Sequence, residues 1–128
     1  MRNILIIGAG RSASSLIQYL LNKSEAENLH LTIGDLSLDL AQRKTNNHKN
    51  ATAIAFDIFD ETQRNIEIRK ADIVISMLPA HMHIEVAKDC IRYKKHMVTA
   101  SYVSDAMQEL DAQAKENNLV FMNEIGLD

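Results

Sequence analysis

Residues 3–13 constrain this chain more than any other stretch. Ile4, Leu5, Ile6 and Ile7 run straight into Gly8-Ala9-Gly10-Arg11-Ser12-Ala13, and a stripe at Ala13, Leu16, Ile17, Leu20 and Leu21 follows. Four consecutive apolar residues suit a strand buried on both faces. The stripe has the i, i+3, i+4, i+7, i+8 spacing of a helix that buries one side. Between them the hexapeptide has the form G-x-G-x-x-A. Gly8 permits the tight turn out of the strand, Gly10 lets a diphosphate approach the backbone, and Ala13 lets helix and sheet pack closely. The first amides of the helix would face that diphosphate with the positive end of the dipole. Alone, the hexapeptide is a weak signal; a strand before it and a helix after it strengthen it. The competing reading is a glycine turn that serves packing only.

The rest of the chain repeats the alternation. Strands are expected at 29–33, 52–56, 72–77, 96–99 and 119–122. Helices are expected at 36–44, at 61–70, after Pro79 on Ala80, Ile84, Ala87 and Ile91, and on Val103, Met107, Leu110 and Ala114. The helix at 61–70 has little apolar face and is expected to pack loosely. Six strands alternating with five helices predict a doubly wound α/β fold, a single parallel sheet with helices on both faces and strand order 3-2-1-4-5-6, the Rossmann arrangement. Length agrees, since 128 residues make one dinucleotide-binding domain, 1–128.

Composition excludes other classes. At 46% hydrophobic and 24% charged the chain is no disordered tail. No apolar run reaches membrane-spanning length, and no cleavable leader precedes the first strand, so a cytoplasmic protein is expected. A net charge of −3 supplies no field for nucleic acid. One cysteine, Cys90, allows no intrachain disulfide, no Cys/His cluster has zinc spacing, and no metal site is expected.

Function is then read from the strand ends. Asp35 stands 22 residues after Ala13, where an acid hydrogen-bonds the adenosine ribose. A carboxylate there repels a 2′-phosphate and favours NAD, with NADP the second choice; the nearest basic residues in sequence are Arg43 and Lys44. The same aspartate could instead cap the helix near Leu36. Arg11 either neutralises a phosphate or is solvated. Asp57 and Ile58 are placed beside the adenine, a plain turn serving Asp57 equally well. Leu78, Pro79 and Ala80 are placed along the cofactor's central ribose or its nicotinamide, Pro79 being equally suited to a helix first turn. His81 and His83 are taken as solvated or capping, and Cys90 as a small buried hydrophobe.

Ser101-Tyr102-Val103-Ser104, Met107, Glu109-Leu110 and the closing Met122-Asn123-Glu124-Ile125-Gly126-Leu127-Asp128 resemble the saccharopine dehydrogenase family, most closely its glutamate-forming branch, also called saccharopine reductase. The likeness runs from Ile4 to the last residue. It implies a nicotinamide cofactor that oxidises saccharopine at its secondary amine, the imine then hydrolysing to glutamate and aminoadipate semialdehyde. It also implies that Gly8, Gly10, Arg11, Ser12 and Ala13 hold the diphosphate and Asp35 the ribose. Ser101, Tyr102 and Asp128 would reach the amino-acid substrate, Asp128 as a catalytic group beside the amine. The chain departs from the branch at Gly34-Asp35-Leu36, where NADP-using members carry a basic residue. Family members are several hundred residues long, so an N-terminal cofactor domain of a longer enzyme is expected, a homodimer at full length and inactive as this piece alone. Two other functions fit the same fold: an imine reductase of the carboxynorspermidine dehydrogenase type, and a regulatory module that senses NAD without chemistry.

Overall fold

The computed structural model describes residues 1–99 and 105–122, with backbone alone for Ser12, Ala80 and 105–107. The strands are β1 (Arg2–Ile7), β2 (Leu29–Asp35), β3 (Ala51–Ala55), β4 (Ile73–Ser76), β5 (His96–Thr99) and β6 (Phe121–Met122). The helices are α1 (Ser14–Glu27), α2 (Leu38–Thr45), α3 (Glu61–Lys70), α4 (His83–Tyr93) and α5 (Asp105–Glu116). They build one six-stranded sheet in the order β3-β2-β1-β4-β5-β6, with every pairing parallel. The expected order is the observed one.

The alternation of side chains along β1 divides the core in two. Leu5 and Ile7 join Val74 and Met97 under α3 and α4, with Ile68, Val86, Ala87 and Cys90. Ile4 and Ile6 join Leu31, Ile33 and Ile75 under α1 and α2, with Ala13, Ile17, Leu21 and Ala41. A strand apolar at four positions running is thus consumed by two separate layers of helix, each buried side chain contributing about 1.5–3 kcal/mol.

Several boundaries differ from expectation: β2 runs on to Asp35 and β4 narrows to Ile73–Ser76. Helix α2 begins at Leu38 rather than at 36, because Ser37 caps it, its hydroxyl accepting the Leu40 amide at 3.2 Å. Strand β3 is shifted one residue towards its start, although Phe56 still donates to the Asp35 carbonyl at 2.8 Å. Strand β6 shrinks to Phe121–Met122. The expectation that 61–70 packs loosely is wrong. Ile68 is fully buried and Arg64 is buried in an ion pair with Asp89 of α4, so a polar anchor replaces the missing apolar face.

Candidate functional site

All strands point the same way, so their C-terminal ends share one edge, and there the glycine turn is held on both sides. The Gly8 amide donates to the Gly34 carbonyl at 2.7 Å, and the Met77 amide to the Ile7 carbonyl at 2.8 Å. Gly8 has φ +99°, and a β-carbon there would meet the Met77 backbone at 3.3 Å. Its glycine is demanded by the fold itself. Gly10 differs: its φ is −73°, and an added β-carbon finds no atom within 4 Å. Among the described residues nothing in the packing requires glycine at 10, and the bare backbone there would admit a diphosphate.

The start of the following helix supports the same conclusion. Residues Arg11–Ala13 form one 3-10 turn leading into α1, and neither segment has a side-chain cap. Ser37 caps α2 and Asp60 caps α3, whereas α4, which also follows a 3-10 turn, has no side-chain cap either. The amides opening the first helix therefore keep their dipole end towards the edge where an anion would lie. Ala13 is buried beneath that helix with Ile17, the close packing that a small residue allows, and Arg11 is exposed.

Asp35 joins the two halves of the site. One carboxylate oxygen accepts the Ala9 amide at 2.8 Å and the other accepts the Ser37 amide at 2.9 Å. The aspartate does not itself cap α2, which Ser37 does, but it orders the approach to that helix and stands at the glycine turn. Each oxygen has a second lone pair, which leaves acceptor capacity for ribose hydroxyls. The basic residues nearest in sequence are engaged elsewhere: Arg43 pairs with Asp39, and the Lys44 ammonium donates to the Ser14 hydroxyl at 2.5 Å.

Beside Asp35 lies a cleft of about 100 Å³, lined by Gly8, Asp35, Leu36, Phe59, Leu78 and Met82 among others. Asp57 and Ile58 also line it. Asp57 holds its turn as well, its carboxylate accepting the Phe59 amide at 2.9 Å. Gly8, Asp35, Asp57, Ile58 and Leu78 are thus brought together as expected. Gly10, Arg11 and Ala13 lie on the loop and turn that lead into α1, outside the cleft lining, and the Ser12 backbone belongs to the same turn. Pro79 is exposed and stands just before the 3-10 turn Ala80–Met82 rather than in it, its carbonyl accepting the Met82 amide at 2.9 Å. Ser101, Tyr102 and Asp128 lie outside the described residues.

Sequence reasoning missed several participants. Leu36 is 77% exposed and Phe59 75% exposed, yet both line the cleft; an aromatic inside the turn Asp57-Ile58-Phe59-Asp60 was the available signal. Gly34 was overlooked, although a β-carbon there would come within 2.9 Å of the Phe56 β-carbon. The placing of His83 among solvated or capping residues is corrected. It is 1% exposed and shares a 2.8 Å hydrogen bond with Ser76 at the end of β4. Burial, and then the neighbouring His81, lowers its pKa from the ordinary 6.5. Cys90 is fully buried, and burial pushes its thiol pKa far up. Among the described residues no group of three or more His, Cys, Asp or Glu could hold a metal ion, and no helix is long and apolar enough to cross a membrane.

A parallel sheet in this order, with a glycine turn before an uncapped helix start and an acid closing the second strand, defines a dinucleotide-binding domain of the oxidoreductase type. Comparison with known proteins narrows the class. The chain belongs to the family described as saccharopine dehydrogenase NADP binding domain, which it matches over residues 4–122. It is 36% identical over 127 residues to the saccharopine dehydrogenase [NADP(+), L-glutamate-forming] of Pyricularia oryzae, covering 99% of this chain and 27% of that one. It is 31% identical over 142 residues to the alpha-aminoadipic semialdehyde synthase of Arabidopsis thaliana, covering 98% of this chain and 13% of the relative. Among solved structures, the apo saccharopine dehydrogenase (L-Glu forming) of Saccharomyces cerevisiae superposes with a TM-score of 0.88 at 31% identity, covering 98% of this chain and 27% of that chain. The chain therefore spans about a quarter or less of the length of these relatives.

Proposed function

We propose that this chain is the coenzyme-binding part of an oxidoreductase that acts on saccharopine, or on a close secondary-amine relative, in lysine metabolism. The observation that carries the reading is Gly10, whose glycine has no packing cause among the described residues and lies at a helix start with no side-chain cap. In this reading the amides of Arg11, Ser12 and Ala13 hold the diphosphate and the Asp35 carboxylate accepts the ribose hydroxyls. Leu36, Ile58 and Phe59 cover the adenine. Leu78, Pro79 and Ala80 run along the nicotinamide half.

The bound coenzyme supplies a hydride acceptor. The chain's part is to hold it so that the carbon beside the substrate amine faces that acceptor. The proton and substrate work falls to Ser101, Tyr102 and Asp128, by the resemblance, together with groups of the longer enzyme. Hydride loss leaves an imine, and water then splits it into glutamate and aminoadipate semialdehyde. The assembly expected is a cytoplasmic homodimer that takes a small amino-acid substrate.

For the coenzyme we propose NAD ahead of NADP, which would set this chain apart from relatives whose names carry NADP(+). Asp35 puts negative charge where a 2′-phosphate would lie, and Arg43 and Lys44 are occupied with Asp39 and Ser14. Calorimetric titration of the chain with both coenzymes tests this. NAD is expected to bind the tighter; NADP binding as tightly or more so overturns the preference, and a folded chain that binds neither coenzyme overturns the coenzyme reading itself. For the reaction, an enzyme of the relatives' full length carrying this domain is assayed with saccharopine and each coenzyme. A folded enzyme that binds NAD yet shows no saccharopine-dependent reduction overturns the substrate and leaves the coenzyme.

A further inference from the structure

The buried ion pair between α3 and α4 has no counterpart in the chemistry proposed so far. Arg64 is 7% exposed and Asp89 3% exposed, and the Arg64 Nε donates to the Asp89 carboxylate. A buried pair of this kind is an inefficient stabiliser, because desolvating both charges consumes most of their attraction, and well-packed apolar residues would serve as well. The guanidinium does one thing that an apolar residue cannot. Its Nη1 donates to the Ile58 carbonyl at 2.8 Å.

That carbonyl sits in the turn that forms one wall of the cleft. The Asp60 amide closes the turn onto the Asp57 carbonyl at 3.0 Å, and the Phe59 amide bonds the Asp57 carboxylate at 2.9 Å. With Ile58 turned into the core and its carbonyl held from below, Phe59 stands outward, three-quarters exposed, beside a cleft that the equally exposed Leu36 also lines. Exposed large apolar residues that share one concavity mark a place for a flat apolar ligand surface. Glu85, half-exposed and 4.0 Å from the guanidinium, adds charge at the rim without entering the core.

We propose that Arg64, oriented by Asp89, is a positioning residue for the base-binding wall: its hold on the Ile58 carbonyl presents Phe59 to the adenine of the dinucleotide. The inference rests on the coenzyme reading above and deepens it, since it assigns base affinity to a side chain that never touches the ligand. A positioning role predicts that Arg64 and Phe59 act as one unit. A merely structural role predicts independent losses.

The experiment is a thermodynamic cycle read by calorimetry with ADP-ribose, which carries the adenine but no nicotinamide. The double variant Arg64→Met/Asp89→Leu removes both charges together and so leaves no lone buried ion. It is expected to weaken ADP-ribose about ten-fold when Phe59 is present. In the Phe59→Ala background the same change is expected to cost under about two-fold. Arg64→Lys keeps the charge opposite Asp89 but cannot fork to the Ile58 carbonyl, so it moves affinity the same way and serves if the double variant does not fold. Equal losses in both backgrounds, or no loss in either variant, overturn the inference while the coenzyme reading stands. Failure of the unaltered chain to bind ADP-ribose overturns both.

Discussion

The Asp35 carboxylate accepts the Ala9 amide at 2.8 Å, a bond between the end of β2 and the glycine turn 26 residues earlier. Its other oxygen accepts the Ser37 amide at 2.9 Å, so one side chain ties the turn under the proposed diphosphate to the approach of α2. A residue so placed influences both ligand choice and the shape of the edge that receives the ligand.

Replacing Asp35 with serine is therefore expected to do two things. The preference for NAD over NADP narrows towards equality, because the charge facing a 2′-phosphate is gone. Stability falls by about 1–3 kcal/mol, because two amides lose their carboxylate acceptor. Parallel titrations with both coenzymes and a urea melt check the pair of effects. An unchanged coenzyme ratio would remove Asp35 from the ribose.

The three glycines near the edge separate by substitution to alanine. Gly10→Ala leaves the melting temperature unchanged within about one degree, since the new methyl meets no atom of the described residues and φ is ordinary. Dinucleotide binding nevertheless weakens at least about ten-fold. Gly8→Ala and Gly34→Ala destabilise by about 1–3 kcal/mol, the first through its left-handed φ of +99°, the second through the Phe56 β-carbon at 2.9 Å. Thermal melts alongside calorimetry distinguish the two kinds of glycine.

Phe59→Ala removes an exposed ring and costs little stability, within about 0.5 kcal/mol. Its effect falls on ligands that carry a base: ADP-ribose weakens by about 1–3 kcal/mol. Because the chain contains no tryptophan, Phe59→Trp also supplies a single fluorophore at the wall, and adenine stacking on it should quench its emission. Emission that ADP-ribose leaves untouched would place the base elsewhere.

His83 gives the fold an acid-sensitive component. In the folded chain its imidazole stays neutral to a lower pH than the ordinary 6.5, through burial first and His81 second. As pH falls from about that value, the unfolded chain takes up a proton that the folded chain does not, so stability declines towards the lowered pKa and this component then levels off. The slope contributed is at most about 1.4 kcal/mol per pH unit. Urea melts between neutral and mildly acidic pH should show it, and His83→Gln should flatten it. An identical slope in the variant would assign the effect to another group.

What could be read from the amino acids follows from which forces leave a periodic trace. Ile4–Ile7 announce a strand buried on both sides, and the turn after them needs glycine at Gly8 for backbone reasons, so the strand order and the glycine turn were legible. The start of α2 was not, because the Asp35 side chain bonds the Ser37 amide and delays the helix past Leu36. Helix α3 was misjudged because its anchor is Arg64, a charged residue whose partner Asp89 lies 25 positions away. His83 was misplaced because its partner Ser76 lies on the far side of a strand-to-helix turn. Apolar periodicity registers burial of hydrocarbon, and it is blind to a polar side chain that pays for burial with a distant bond.

Gly34 bears on anyone who would re-tool the coenzyme choice. Its neighbour Asp35 lines the cleft and holds only the Ala9 and Ser37 amides, whereas a β-carbon at Gly34 would come within 2.9 Å of Phe56, the residue that follows β3. A segment transplanted from a phosphate-accepting homologue must therefore be spliced downstream of that glycine; begun one residue sooner, it would pry β2 from β3 before any change in selectivity could be measured.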